Sequence, residues 1–590
     1  MITAAVAVPL LPFLAAVTGM LFGRRLPFGP AGVAIAATGA SAVLALLVLY
    51  RADGVVESGT VLTPTGGPDI VLGIRVDETS AVVAVMVTLV ALAIQIYSVG
   101  YLRGDPRYSS YAAFVSLFTA AMLLVALSAD LMVLYAAWEV MGICSYFLIG
   151  HHWEDRPTSA AAVKSFLVTR LGDLGMLFGI FALGMSAGSF RVTDVLSAVP
   201  AMPIHLLTVG TLLIVVGVVG KSAQFPLHTW LPDAMAGPAP VSALIHAATM
   251  VAAGIVVIAR LYPAFLAAPV TMAVLGLIAA ISMLGSALAA LAQDDIKRVL
   301  AYSTISQLAV MLGALTVGAE RAAIFHLLTH AAFKSLLFLC AGAVIMAAGS
   351  NLLSVMGGLR HGMPVTFVTM TIGFAALAGL PPTSGFFSKD AVIAAAGQRA
   401  GVVASVEYVA LLATVGVTGA YATRAWLGAF FGPARARPRE VPLTMRVPLI
   451  ALAIPALGLG FTGGAHLDLP AAALSAGLGG AGVLLAYAVW RRDPAADPAR
   501  ALGALRGVFG RAFYLDEAYA AAIVRPTVRL ARWVRGVDDA VVDGAVLGTG
   551  RGATGLGGLL RLAQTGNVQG YATGVLGGVV LIGVALAVLS

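Results

Sequence analysis

Apolar runs of about twenty residues follow one another along nearly the whole chain, parted by short polar joints, and a run of that length crosses a bilayer as one helix. Read in order, they predict spans near 2–21, 31–50, 79–101, 112–129, 130–150, 162–186, 205–233 and 238–260. A second series follows near 269–291, 298–316, 322–348, 364–396, 404–431, 444–461, 470–490 and 571–589. The pattern predicts an all-α polytopic membrane protein with about 16 transmembrane helices. Between the second and third spans, Val55 to Leu62 and Ile70 to Val76 flank a Pro/Gly-rich turn and predict a small β-hairpin on the outer surface.

Two spans are too long and too interrupted to be simple helices. The 205–233 run holds Gly217, Gly220, Lys221, Pro226 and Pro232, and the 364–396 run holds Gly379, Pro381, Pro382, Gly385 and Lys389. Proline removes a backbone donor and clashes with the preceding turn, and a break at membrane depth is tolerated only against protein or a water-filled cavity. Interrupted helices in corresponding halves of a chain point to an ion path.

Composition agrees with the span count. Of the 590 residues, 60% are hydrophobic and 11% charged, where soluble domains carry about 25% charged residues, and the mean hydropathy is +0.97. The two cysteines, Cys144 and Cys340, both lie inside apolar runs. No Cys cluster is spaced to hold zinc or an iron–sulfur centre, so any redox cofactor is expected on another chain. The net charge of +8 does not imply nucleic acid, because the basic residues gather in joints. Arg24, Arg25, Arg103, Arg107, Lys297, Arg298, Arg435, Arg437, Arg439, Arg446, Arg491 and Arg492 all follow odd-numbered spans. By the positive-inside rule the N-terminus lies outside the cytoplasm, and the first run is a retained helix because its charge follows it.

Charges inside the spans change the picture from membrane anchor to membrane conductor. Glu139, Lys221, Lys334 and Lys389 sit within apolar runs, where each costs about 2.5–3.5 kcal/mol even on the lenient insertion scale, so such groups pair or line a wet path for ions. Glu139 and Lys221 are the natural partners of opposite sign, and Arg170 and Asp173, three residues apart in the next helix, offer a second pair. His246, after the Gly237-Pro238-Ala239-Pro240 run, is expected beside Lys221. His326, His330 and Lys334 recur every four residues, drifting about 40° per step, and so form one polar stripe rising about 12 Å. Histidine titrates near neutral pH, which suits proton transfer. Metal ligation by the two histidines lacks a third ligand nearby in sequence and is not expected.

The late segment differs. From Arg491 to about Leu562 the chain is too polar to span, and Arg525, Arg529, Arg532 and Arg535 alternate with apolar residues at helical spacing. A basic amphipathic helix of this kind lies along a membrane surface, and 513–562 would reach about 70 Å if continuous. Gly548, Gly550, Gly552, Gly555, Gly557 and Gly558 argue for interruptions.

Three stretches carry a family resemblance. Gly220-Lys221-Ser222-Ala223-Gln224-Phe225-Pro226-Leu227-His228-Thr229-Trp230-Leu231-Pro232-Asp233-Ala234-Met235 with Pro238 to His246, Asp295 to Gln307, and Gly379 to Asp390 resemble the hallmarks of the antiporter-like subunits of respiratory complex I. The likeness covers nearly the whole chain and is greatest to the distal pumping subunit, whose relatives include the large subunit of multisubunit sodium/proton antiporters and membrane-bound hydrogenases. It implies two inverted five-helix repeats, at 112–260 and 269–431, each with a broken helix. Around them it implies N-terminal helices with the hairpin loop at 1–111, further helices at 444–490, a lateral surface helix at 505–565 and an anchor helix at 571–589. By the resemblance, Glu139 and Lys221 are the interacting pair of the first half-channel. His246, His326, His330 and Lys334 then form the central hydrated axis, with Lys389 and Asp390 on the exit side. The implied function is proton translocation in a bacterial cytoplasmic membrane as a translocase subunit of NADH:quinone oxidoreductase. FMN, iron–sulfur clusters and quinone are expected in partner subunits, and the lateral helix is expected to hold neighbouring antiporter-like subunits. A cation/proton antiporter subunit, a hydrogenase subunit and an inorganic-carbon uptake subunit are the alternatives within the same family.

Overall fold

In hydrocarbon every backbone N–H and C=O must find its partner inside the protein, which leaves helices as the way for apolar runs like these to cross. The computed structural model describes residues 1–25, 29–433, 439–462 and 468–590, and Arg435 and Arg437 of the predicted basic joints lie outside the described residues. Among the described residues, fourteen helices are long and apolar enough to span a membrane, the first being Ile2–Phe22 and the last Val568–Leu589. The chain is thus an all-α, multi-pass membrane protein. Its one small sheet is the predicted hairpin, an antiparallel pairing of Val56–Thr63 with Ile70–Val76.

Tight joints are closed by side-chain caps. Asp77 accepts the Ser80 N–H at 2.8 Å and Ser80 Oγ accepts the Asp77 N–H at 2.8 Å, starting helix Glu78–Tyr101. Asp130 accepts the Met132 N–H at 2.8 Å ahead of helix Leu131–Ile149, and Asp295 accepts the Lys297 N–H at 2.8 Å ahead of helix Ile296–Thr316. Each cap satisfies donors that a helix start leaves open.

Both predicted interruptions are present. Helix Ile204–Lys221 ends at the lysine and resumes as the short turn Trp230–Asp233, and helix Pro364–Ala378 gives way to Ser384–Gly397 after Gly379 at φ 73°. A third break was not predicted: the 238–260 span consists of Ala239–Ala247 and Ala253–Arg260, with no glycine or proline between them. There Thr249 Oγ1 donates to the Leu244 carbonyl, and the Ser222 hydroxyl donates to the Val251 carbonyl at 2.7 Å.

Helices Arg156–Ala187 and Ile204–Lys221 form a close-packed pair because glycines meet across it. A Cβ on Gly172 would lie 2.9 Å from the Val216 carbonyl oxygen, one on Gly217 2.6 Å from Met176 Cβ, and one on Gly220 3.2 Å from Gly172 Cα. Small residues at such seams let backbones approach. The consequence is functional, since Asp173 and Lys221 flank this contact.

Residues 514–590 form a separate compact unit. The surface helix predicted from 505 starts instead at Leu515, because Ala512, Phe513 and Tyr514 adopt φ of 46°, 61° and 60° and end the short helix Leu505–Gly510. From Leu515 the backbone stays helical to Ala563, a rise of about 70 Å. The glycines expected to interrupt it do not, for helix Asp543–Ala563 runs through all of them. The irregularities are π-turns at Ala520–Val524 and Asp538–Val542.

Gly217→Leu is expected to force the two glycine-seamed helices apart. Overpacking of this kind costs about 1–3 kcal/mol, and the assembled protein recovered on a native gel should fall severalfold. Gly548→Ala, where an added methyl meets nothing within 4 Å, should leave recovery unchanged. Equal recovery of the two variants would contradict the seam.

Candidate functional site

The buried charges fall into two groups. In the first, Lys221 is fully buried and its Nζ donates to Asp173 Oδ2 at 3.3 Å, while Trp138 Nε1 donates to Asp173 Oδ1 at 2.5 Å. Lys221 also lies over the Trp138 ring, 5.2 Å from its centroid. Glu139 forms its ion pair with Arg170. The predicted pairing is therefore exchanged: Lys221 takes Asp173, and Glu139 takes Arg170. The reason is rotational, because the glycine seam turns Asp173 toward Lys221 and leaves Arg170, one turn earlier, facing helix Leu131–Ile149. Gly142 leaves room for the lysine, since a Cβ there would stand 2.9 Å from Nζ. Arg170 reaches the protein edge, with 38% of its side chain exposed against 15% for Glu139.

The second group lies on and around helix Glu320–Ala348. The predicted stripe is real, for His326, His330 and Lys334 are all fully buried. Lys334 Nζ donates to the Leu300 carbonyl at 3.0 Å and to Ser303 Oγ at 2.8 Å, and Ser303 shares a 2.7 Å hydrogen bond with the Tyr421 hydroxyl. His326 Nδ1 and Ser388 Oγ are 2.9 Å apart, and Ser388 reaches Thr329 at 2.8 Å. His330 stands edge-on to Phe333, 5.4 Å between centroids. Next along the chain, Lys389 Nζ donates to the Leu377 carbonyl that the second break releases. Asp390 follows it, with Oδ1 buried and lacking a protein partner.

His246 packs against the second group. Its ring packs on Phe338, 4.7 Å between centroids, one turn from Lys334, and both ring nitrogens lack protein partners.

Unfilled hydrogen-bonding capacity runs through both groups. Glu139 Oε1, Gln224 Oε1, both His246 nitrogens, the Gln307 amide, His326 Nε2, Ser384 Oγ and Asp390 Oδ1 are buried without a protein partner among the described residues. Buried polar atoms are almost always hydrogen-bonded, so these atoms call for water.

Several buried charges escaped the sequence reading. Lys297, counted as a joint residue, is buried and donates to the carbonyls of Met235 and Gly237, each at 2.5 Å. Arg260 is buried and donates to the Val125 carbonyl at 2.8 Å and the Ala126 carbonyl at 2.7 Å, at the end of helix Tyr108–Leu127. Glu407, 3% exposed, accepts the Thr316 hydroxyl at 2.7 Å. Position alone could have flagged Glu407, six residues into a span; nothing local marks the other two. Outside the spans, burial works to raise the Asp105 carboxyl, but the hydrogen bond from His151 and the Arg107 N–H outweigh it and hold it below its ordinary value. Burial also holds His151 below the usual imidazole value despite Asp105.

Known proteins place this geometry. Residues 128–415 match the family model described as NADH:quinone oxidoreductase/Mrp antiporter, TM, and residues 62–112 match that of the NADH-ubiquinone oxidoreductase (complex I), chain 5 N-terminus. The chain is 39% identical over 591 residues to NADH-quinone oxidoreductase subunit L of Mycobacterium tuberculosis, covering 94% of this chain and 93% of that one. It is 38% identical over 559 residues to NAD(P)H-quinone oxidoreductase subunit 5, chloroplastic, of Nephroselmis olivacea, covering 86% and 85%. In structure it resembles a chain of the Mrp complex from Dietzia sp. DQ12-45-1b, with TM-score 0.75 and 27% identity over all of this chain and 63% of that one. Fold, buried charges and relatives agree, and the chain belongs to the antiporter-like membrane subunits of complex I, in the group called subunit L or chain 5.

Proposed function

We propose that this chain moves protons across a bacterial cytoplasmic membrane as a subunit of NADH:quinone oxidoreductase, driven by redox chemistry in partner subunits. The observation that carries the reading is the row of buried ionisable side chains with unfilled hydrogen-bonding capacity, from Glu139 to Asp390. Water joining those atoms would let a proton pass between His246, His330 and His326 by way of Lys334 toward Lys389 and Asp390.

Lys221 is the switch. Its bond to Asp173 is long at 3.3 Å, and the neighbouring Arg170 and Glu139 form the adjoining pair at the protein edge. A change in the charge of that outer pair alters how firmly Asp173 holds Lys221. Coupled ionisable groups titrate as a unit, so charge displacement at one end changes proton affinity at the other. The exposed side of Arg170 is where a neighbouring membrane subunit would deliver that change.

The chain holds no flavin, iron–sulfur cluster or quinone in this reading, and FMN, the clusters and quinone belong to its partners. Its N-terminus lies outside, in keeping with the basic joints. Two inverted five-helix repeats at 112–260 and 269–431 would relate Asp130, capping from the outer face, to Asp295, capping from the inner one. The helix from Leu515 to Ala563, whose Leu530, Trp533 and Val541 are exposed, would lie against neighbouring subunits and hold them, anchored by Val568–Leu589.

Tagged in its host and gently extracted, the chain should carry flavin and iron–sulfur absorbance together with NADH:quinone reductase activity. A colourless assembly exchanging sodium for protons would overturn the reading in favour of an antiporter. Within the complex, Asp173→Asn and Lys221→Met should each lower NADH-driven dye quenching by at least tenfold. Removing one partner of a buried pair costs about 3–5 kcal/mol, so the double variant should assemble better than either single one while still failing to pump. Wild-type pumping by any of the three would remove the pair from the mechanism.

A further inference from the structure

The turn after helix Glu78–Tyr101 and the turn after helix Leu131–Ile149 meet on one face of the protein. There Asp105 Oδ2 and His151 Nε2 are 2.9 Å apart, and His152 stands next to them, its ring centroid 4.8 Å from that of His151. One ligand atom from each of Asp105, His151 and His152 lies within 4.8 Å of the other two. We propose that Asp105, His151 and His152 bind a divalent transition-metal ion of the zinc class, tying these two turns together.

The separations suit such an ion. With bonds of about 2.0–2.1 Å and tetrahedral angles, two zinc ligands stand about 3.3 Å apart. The Asp105–His151 pair therefore needs to open by only a few tenths of an ångström as the metal replaces the shared proton. Two imidazoles and one carboxylate leave a fourth position for water, and nitrogen donors select zinc, copper or nickel over magnesium or calcium.

Two ligands are already aimed by their neighbours. Asp105 Oδ1 accepts the Arg107 N–H at 2.7 Å, which turns Oδ2 toward His151. The His151 carbonyl accepts from Arg107 Nη1 at 2.5 Å, and its ring stands edge-on to Tyr111 with centroids 5.6 Å apart. Outer contacts of this kind orient metal ligands and are worth 10–100-fold in affinity. Arg107 itself is paired with Glu154, which offsets its charge. His152 is exposed and adjustable, so it supplies the closing ligand. The three residues lie on two joints far apart in sequence, which is why their spacing gave no sign of a site.

The test is equilibrium dialysis of the whole detergent-extracted complex against radiolabelled Zn2+, with binding counted per mole of complex. Wild type should bind one more equivalent than His152→Gln at low zinc, and that equivalent should be weakened in both His152→Gln and Asp105→Asn by more than the roughly 10–100-fold that loss of an outer contact costs. The exposed His152 makes loss of folding no explanation for its variant. Superimposable isotherms for wild type and the two variants, or no zinc bound by wild type in the micromolar range, would overturn the site.

Discussion

A lysine inside a membrane needs an acceptor, and in this protein the acceptors are chiefly backbone carbonyls that ordinary helices keep for themselves. Lys389 takes the Leu377 carbonyl at one helix break, Lys297 takes those of Met235 and Gly237 just beyond another, and Lys334 takes that of Leu300. At the two breaks the lysine covers carbonyls that would otherwise face hydrocarbon, while Lys334 reaches a carbonyl of the unbroken helix Ile296–Thr316. Lys221, fully buried, and Lys164, partly exposed, take carboxylates instead, those of Asp173 and Asp233.

Packing puts the Lys221–Asp173 pair in place. The glycine seam between helices Arg156–Ala187 and Ile204–Lys221 brings Asp173 against Lys221, and Trp230 Nε1 holds the Gly220 carbonyl at 2.9 Å on the far side of the break. Asp233, just after that turn, takes Lys164 at 2.6 Å and Arg298 at 2.8 Å. Small residues, a broken helix and a buried ion pair are consequences of one requirement: two helices must lie close enough for a short acid to reach a long base.

Much of this was legible in the sequence. Apolar run length gave fourteen of the sixteen expected spans as single long helices among the described residues, the runs at 238–260 and 364–396 being broken; prolines gave two of the breaks, and four-residue spacing gave the His326–His330–Lys334 stripe. Pairing was not legible, because sequence order does not fix how a helix is rotated about its axis; Glu139 and Lys221 have the right signs, yet the seam gives Lys221 to Asp173. The break at 248–252 was hidden for a related reason. No proline or glycine marks it, and it persists because Thr249 and Ser222 supply hydrogen bonds from elsewhere. Lys297 read as a surface charge since it stands beside Arg298 at a joint, while its ammonium reaches inward to carbonyls some sixty residues earlier in the chain. The glycines of the surface helix misled in the other direction, for glycine lowers helix stability without forbidding helical geometry.

Proton passage of the proposed kind requires the buried side chains from Lys221 to Asp390 to be joined by water. The most direct measurement is a cryo-electron microscopy map of the complete complex in lipid, at a resolution that shows ordered water. Water is expected within hydrogen-bonding distance of His246, Gln307, His326 Nε2 and Asp390 Oδ1, in a chain without gaps wider than one hydrogen bond between Lys334 and Lys389. A dry stretch between those lysines, with apolar side chains closing the interval in every state of the complex, would contradict it.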